Sequence, residues 1–290
     1  MNSILNKPVK PSNFIFGIGI PTSKNDFYND LKTDNKHFAK TIKGEWAQFN
    51  AEVLPTIKLA ISIMKKLGVR VISEMTLKMF GNILKANPTE IVILFTHWKN
   101  EPFKLEFSKY DFLNLLSDNI QLLKILTYSN DLAIFLTDQG YSLEAKDDYI
   151  VDLIEENIIF SSNTFIENYI DKIEIELFEK ILSYSNSSKV EFKDGLSSLF
   201  DVISEIPEEF QGIIDLNVCH PDLLTIFLRK CRPKCHIKYK FDNSNIHKNI
   251  GVNPVIALYF YIAFFNHLNT HNLNYFEGIQ EVINSFFKTI

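Results

Sequence analysis

One histidine and one cysteine of this chain each stand just beyond a run of apolar residues. His97 follows IVILF in the string ILFTHW, and Cys219 follows GIIDL in the string DLNVCHP. An imidazole beside a thiol favours the thiolate, which is the nucleophile. The protonated imidazole then has a proton for a leaving amine. Each residue also has a plainer role. A cysteine at a strand end is ordinarily a small, half-buried apolar group, and a histidine there often only bonds the backbone. What separates the two roles is whether the fold brings them to one place.

The neighbouring sequence says what must do so. Ile91–Phe95 carries no charge, as expected of a strand buried on both faces of a parallel sheet. Before it, Asn13–Ile20 (NFIFGIGI) reads as a first strand ended by Pro21. Residues 22–45 are polar, a loop or frayed helix. Trp46–Leu67 has apolar residues at helical spacing and stops at Gly68, with Pro55 either kinking that helix or marking its true start. Val69–Ser73 reads as a strand, and Thr76–Ala86 as a helix closed by Asn87 and Pro88. Strand, helix, strand, helix, strand is the order of a doubly wound α/β sheet. Later come a strand at Gly212–Leu216, a helix at Asp222–Lys230, a strand at His236–Phe241 and helices at Pro254–Leu268 and Tyr275–Lys288. Ligands of such sheets bind at the carboxyl ends of strands. If the two strands are neighbours in one parallel sheet, His97 and Cys219 emerge on the same rim.

The chain is expected to form a single domain over 1–290, with a mostly helical insertion or lid at 101–188. Asp111–Leu126 reads as helix, Leu132–Leu136 as a possible short strand, and Ile166–Leu182 as helix with Thr164 and Glu167 as its capping box. Residues 1–13, with Pro8 and Pro11, read as a polar leader.

Composition removes several classes. With 35 acidic and 30 basic side chains the formal charge is −5, which argues against a nucleic-acid-coating protein. Hydrophobic residues at 46% and charged ones at 22% suit a packed core rather than a disordered chain. Three cysteines cannot close a disulfide framework, so a reducing, cytoplasmic setting is expected. No signal peptide is expected, and Val255–Phe265 is too short to span a bilayer. Cys231, Cys235, His236 and His220 fall short of a zinc set, and no metal or other cofactor is expected. FGIGIP lacks the third glycine of a dinucleotide loop, and no G-x-S-x-G occurs. His267 and His271 read as surface residues. Tyr259, Phe260, Tyr261, Phe264 and Phe265 read as core and helix packing, without the interleaved basic residues of a base-stacking platform.

Four pieces in order carry a family resemblance: VRVISE to IVILFTHW, VEFKDGLSSLFDVISEIP (Val190–Pro207), EFQGIIDLNVCHP (Glu209–Pro221), and the aromatic-rich C-terminal helix pair. Together they resemble the CHAT domain, a branch of the caspase-like (clan CD) cysteine peptidases, over most of 13–100 and 190–287. The resemblance implies a caspase-like three-layer α/β sandwich and a His97/Cys219 dyad. It also implies oxyanion donors at the backbone N–H groups of Trp98 and Cys219, and a substrate pocket near Asn217, with Asp215 either supplying charge to it or capping a strand edge. Asp194 reads as a hairpin turn residue. The family's histidine is usually followed by Gly, here Trp98. Small residues usually follow its cysteine, where this chain has His220 and Pro221. The family's setting is bacterial defence or cell death. A protein substrate and a regulatory protein partner are therefore expected, and a non-catalytic scaffold of the same fold is the alternative.

Overall fold

The structure is a computed structural model that describes residues 6–20, 47, 49–96, 98–100, 104–118, 130–141, 151–154, 157–161, 174–182, 188–217, 221–239 and 254–287. Its elements in chain order begin with β1 (Phe14–Ile18), α1 (Leu54–Lys66), β2 (Arg70–Ile72), α2 (Leu77–Ala86) and β3 (Ile91–Phe95). Next come β4 (Trp98–Asn100), β5 (Lys104–Ser108), α3 (Lys109–Asp118), α4 (Asn130–Asp138), β6 (Val151–Ile154), β7 (Asn157–Ser161) and α5 (Ile175–Leu182). The chain continues with β8 (Ser188–Phe192), β9 (Gly195–Ser198), α6 (Leu199–Glu205), β10 (Ile213–Asn217), α7 (Pro221–Cys231) and β11 (His236–Tyr239). Helices α8 (Pro254–Thr270) and α9 (Tyr275–Phe287) complete it. Two compact units divide these elements: Met1–Trp98 with Val190–Ser197 and Glu205–Ile290, and Lys99–Lys189 with Ser198–Ser204.

In the first unit a five-stranded, all-parallel sheet runs in the order β11-β10-β3-β1-β2. The chain moves one way from β1 to β2, then the other way through β3, β10 and β11. The strand order therefore reverses between β1 and β3. Right-handed crossovers then put α1 on one face and α2 and α7 on the other. The result is a three-layer α/β sandwich around a parallel sheet, the fold class expected from the strand–helix alternation.

Three strands are held in strict register. Phe14, Ile91 and Ile213 form one row, Phe16, Ile93 and Asp215 the next, and Ile18, Phe95 and Asn217 the last. Period-two alternation turns these side chains to one face. There the apolar members pack against Ile57, Ala60 and Met64 of α1 and against the aromatic side of α8 and α9. Phe14 meets the rings of Phe264 and Phe265 edge-on at 5.5 and 5.2 Å. The alternate residues Ile15, Val92, Leu94, Ile214 and Leu216 are buried too, as two covered faces require. Gly212 admits β10 to this arrangement: a Cβ there would run into the backbone carbonyl oxygen of Glu90.

Pro55 stands in the first turn of α1, so it marks that helix's start rather than kinking it, and a π-helical turn at Phe49–Val53 precedes it. Thr76 caps α2, its Oγ1 accepting the Met79 N–H at 3.1 Å. Asp194 does more than turn the hairpin between β8 and β9, since its Oδ1 accepts the Leu77 N–H at 3.1 Å. The turn itself uses Gly195 at φ 129°. Lys78, Gly81 and Lys85 lie on one side of α2. The missing side chain of Gly81 leaves room for Glu205, which reaches Lys85 at 2.9 Å and Lys78 at 3.7 Å. The Lys85 hydrogen bond, with the charges of both lysines, holds the Glu205 carboxyl below its ordinary range. Residues 6–13 are no loose leader. Val9 is buried in the core and its N–H donates to the Leu273 carbonyl at 2.9 Å.

The second unit holds a small sheet beside the helices expected of the insertion. It contains α3, α4 and α5, but also an antiparallel sheet in the order β5-β7-β6. Leu132–Leu136, read as a possible strand, lies inside helix α4, with Leu132 and Leu136 buried one turn apart. Phe107 of β5 packs on Phe112 of α3 with ring centroids 5.7 Å apart. Ser108 Oγ accepts the Asp111 N–H at 3.1 Å and opens that helix. The expected capping pair Thr164 and Glu167 lies outside the described residues. Among the described residues no helix is long and apolar enough to cross a membrane.

Two outcomes follow. Gly212→Ala forces β10 away from Glu90 and lowers the unfolding free energy by about 1–3 kcal/mol in a denaturant titration. Glu205→Gln destabilises the protein at neutral pH. Because the folded-state pKa is depressed, wild type holds its advantage above the unfolded carboxyl value of about 4.3 and loses it as pH falls through the folded value.

Candidate functional site

The carboxyl ends of β3 and β10 are neighbours in register, Phe95 opposite Asn217. The Thr96 N–H donates to the Asn217 carbonyl at 3.3 Å, extending the ladder one step beyond β3. On the other side of β3, the Gly19 N–H donates to the Phe95 carbonyl at 3.0 Å. Three chain segments thus leave the sheet together at its carboxyl edge, next to the point between β1 and β3 where strand order reverses. In an open α/β sheet this is where ligands bind.

His97 and Cys219 lie outside the described residues, as does His220. Each of the first two stands two positions beyond a register partner, His97 after Phe95 and Cys219 after Asn217. Trp98 opens β4, and Pro221 opens α7. Proline at the first helical position gives up an N–H that has no partner within the helix, which accounts for Pro221 on backbone grounds alone.

A group unread in the sequence borders this edge. Thr96 is buried, and its hydroxyl donates a hydrogen bond to the carbonyl of Glu191 in β8. A Cβ on Gly19 would meet that same carbonyl oxygen at 2.5 Å. The residue is glycine because three backbones converge there. Glu191 itself is only 5% exposed. The signal was present in Val190-Glu191-Phe192: an acid between two apolar strand residues is either solvent-facing by alternation or deliberately buried.

Asn217 is buried at the end of β10. Asp215, one row back on the same face, has no exposed surface. Its Oδ2 accepts the hydroxyls of Tyr261 at 2.9 Å and Tyr275 at 2.7 Å. These contacts tie the central strand to α8 and α9, so they are structural contacts in the core and β10 is no sheet edge. Burial, with the Asp215 charge adding to it, pushes the Tyr261 hydroxyl well above the ordinary tyrosine value, which keeps it a donor.

Cys231 and Cys235 are both buried. Desolvation pushes the Cys235 thiol up to about 12, which suppresses its nucleophilic form. Of the aromatic set on α8, Phe260, Tyr261, Phe264 and Phe265 are buried, while Tyr259 is 47% exposed. His271 is exposed beside a half-buried His267, the rings stacked 5.9 Å apart. At the amino ends of the strands, a groove of about 1090 Å³ is lined by Asn13, Glu90, Gln211 and His236 among others. It lies at the opposite end of the sheet from the edge where β3 and β10 terminate.

Comparisons with protein-family models, with curated proteins and with solved structures give no match.

Tyr261→Phe removes one hydroxyl from a buried carboxylate and lowers stability by about 1.5–3 kcal/mol at neutral pH. The folded-state pKa of Tyr261 is raised, so its contribution is whole below about pH 10 and is lost as pH rises beyond it. Denaturation curves at neutral and alkaline pH will therefore show a shallower alkaline decline in the variant than in wild type.

Proposed function

We propose that this chain is a cysteine endopeptidase with a Cys219/His97 dyad. The observation that supports it best is the in-register pairing of β3 with β10 up to Phe95 and Asn217, continued by the Thr96–Asn217 hydrogen bond. In the sequence His97 and Cys219 each follow a member of the Phe95–Asn217 pair by two positions. The resemblance to caspase-like CHAT domains makes these two residues the dyad.

In the proposed reaction the imidazole favours the thiolate of Cys219, which attacks the carbonyl carbon of a peptide bond. The Trp98 and Cys219 N–H groups stabilise the oxyanion, each worth about 10²–10³ in rate. The C–N bond then breaks and His97 protonates the departing amine. A water, deprotonated by His97, hydrolyses the thioester and frees the thiol. These steps call for no cofactor. A neutral Asn217 at the edge suits a polar residue before the scissile bond. A separate protein partner is the proposed source of control, and the cytoplasm the proposed location.

Labelling with a thiol-directed electrophile tests this reading. Cys231 and Cys235 are buried, so the account predicts fast labelling at Cys219 alone, slowed at least tenfold in His97→Ala. Cleavage of a peptide library is predicted to vanish in both Cys219→Ala and His97→Ala. Slow, uniform labelling of all three thiols, with no cleavage alone or with a partner protein, would indicate a non-catalytic scaffold.

A further inference from the structure

The last turn of α8 carries two histidines that no step of the proposed reaction uses. His267 and His271 stand four positions apart, and the His271 N–H donates to the His267 carbonyl at 2.9 Å, so the helical ladder runs through both. Four-residue spacing puts the two side chains on one side of the helix. Their rings lie 5.9 Å apart with planes 28° from parallel. This helix end is held firmly. Phe264 and Leu268 are buried, and a Cβ on Gly278 of α9 would meet both side chains at 2.8 Å.

Hydrogen bonds decide which nitrogen His271 presents. Its Nδ1 lies 2.8 Å from Thr270 Oγ1 and 3.3 Å from the His267 carbonyl oxygen. A carbonyl can only accept. The Thr270 hydroxyl directs its own proton to the Asn266 and His267 carbonyls, at 3.0 and 3.2 Å, so its oxygen also accepts from the ring. Nδ1 therefore carries the proton of the neutral imidazole, and Nε2 offers a lone pair. Metal-bound imidazoles have this arrangement, with one nitrogen donating to the protein and the other on the ion.

We propose that His267 and His271 form a two-histidine site for a divalent transition-metal ion. A metal about 2.0–2.1 Å from one nitrogen of each ring holds the ring centres roughly 5 Å apart in a tetrahedral site, a small ring rotation from the 5.9 Å here. The carbonyls of a helix's last turn carry partial negative charge, which favours a cation there. Among the described residues no third histidine, cysteine or carboxylate completes a metal-holding group, so the remaining positions are open to water or an outside donor. Two ligands make an exchangeable site rather than a structural zinc centre. Imidazole selects copper, nickel and zinc over magnesium and calcium. In the string HLNTH, Leu268 stands where the helical H-E-x-x-H motif has its glutamate, so the site binds an ion without supplying a general base. None of this depends on the Cys219/His97 reading.

The test uses the full chain carrying Cys219→Ala, which leaves the buried Cys231 and Cys235 as its thiols. Calorimetry with Zn²⁺ is predicted to detect a site that His267→Asn and His271→Asn each weaken by at least about tenfold, and that excess Mg²⁺ does not occupy. Substoichiometric Cu²⁺, which is paramagnetic, is predicted to broaden the NMR signals of His267 and His271 before any others. Unchanged Zn²⁺ binding in both folded variants overturns the proposal. Cu²⁺ broadening that begins elsewhere on the chain also overturns it, and this readout keeps both histidines, so it holds even if a variant does not fold.

Discussion

Backbone hydrogen bonds between β3 and β10 hold Phe95 opposite Asn217, and that pairing governs what lies on either side of it. Toward the core it sets the rows that pack Ile93 beside Asp215 and Ile91 beside Ile213. Toward the sheet's edge it brings two sequence-remote segments out together. A slip of one residue would turn the alternating side chains of β10 to the opposite face. Asp215 would leave its two tyrosines, and the residue at the strand end would change. Gly212 guards the entry to the strand, because only a residue without Cβ passes Glu90. Asp215 guards its middle, because one carboxylate takes hydroxyls from both α8 and α9. Stability and candidate function thus depend on the same alignment.

The carboxyl edge is reinforced from outside the sheet as well. Met75 is buried, its N–H donates to the Ile18 carbonyl at 2.9 Å, and its own carbonyl receives the Lys193 N–H at 2.8 Å. The hairpin of β8 and β9 is therefore tied to the segment leading into α2, and Asp194 adds a second tie at the helix start. Rigid elements hold chemical groups more precisely than free loops do. Here Thr96 and Glu191 meet on such supported segments.

Legibility from sequence followed the burial pattern. Ile91–Phe95 was readable to the residue because a chargeless β-branched run has few alternatives. The late strand is shifted by one, Ile213–Asn217 rather than Gly212–Leu216, since Gly212 serves a close approach and not the strand. Asp215 signalled that something in the core must meet a carboxylate, but its tyrosines lie 46 and 60 positions away and no local pattern names them. In the second unit, short apolar runs such as Leu132–Leu136 fit helix or strand equally, and tertiary pairing decided them. The run Val190-Glu191-Phe192 left the burial of Glu191 open, because a single acid in a strand ordinarily faces water.

The central claim is that an imidazole and a thiol share one rim, and the ionisation of Cys219 reports this most directly. Thiolate absorbance can be followed against pH in wild type and His97→Ala, with Cys219→Ala as the blank for the two buried thiols. The account predicts that Cys219 ionises well below the free-cysteine value of about 8.5, and that removing the imidazole returns it toward that value. Ionisation at or above 8.5 in both proteins would contradict it.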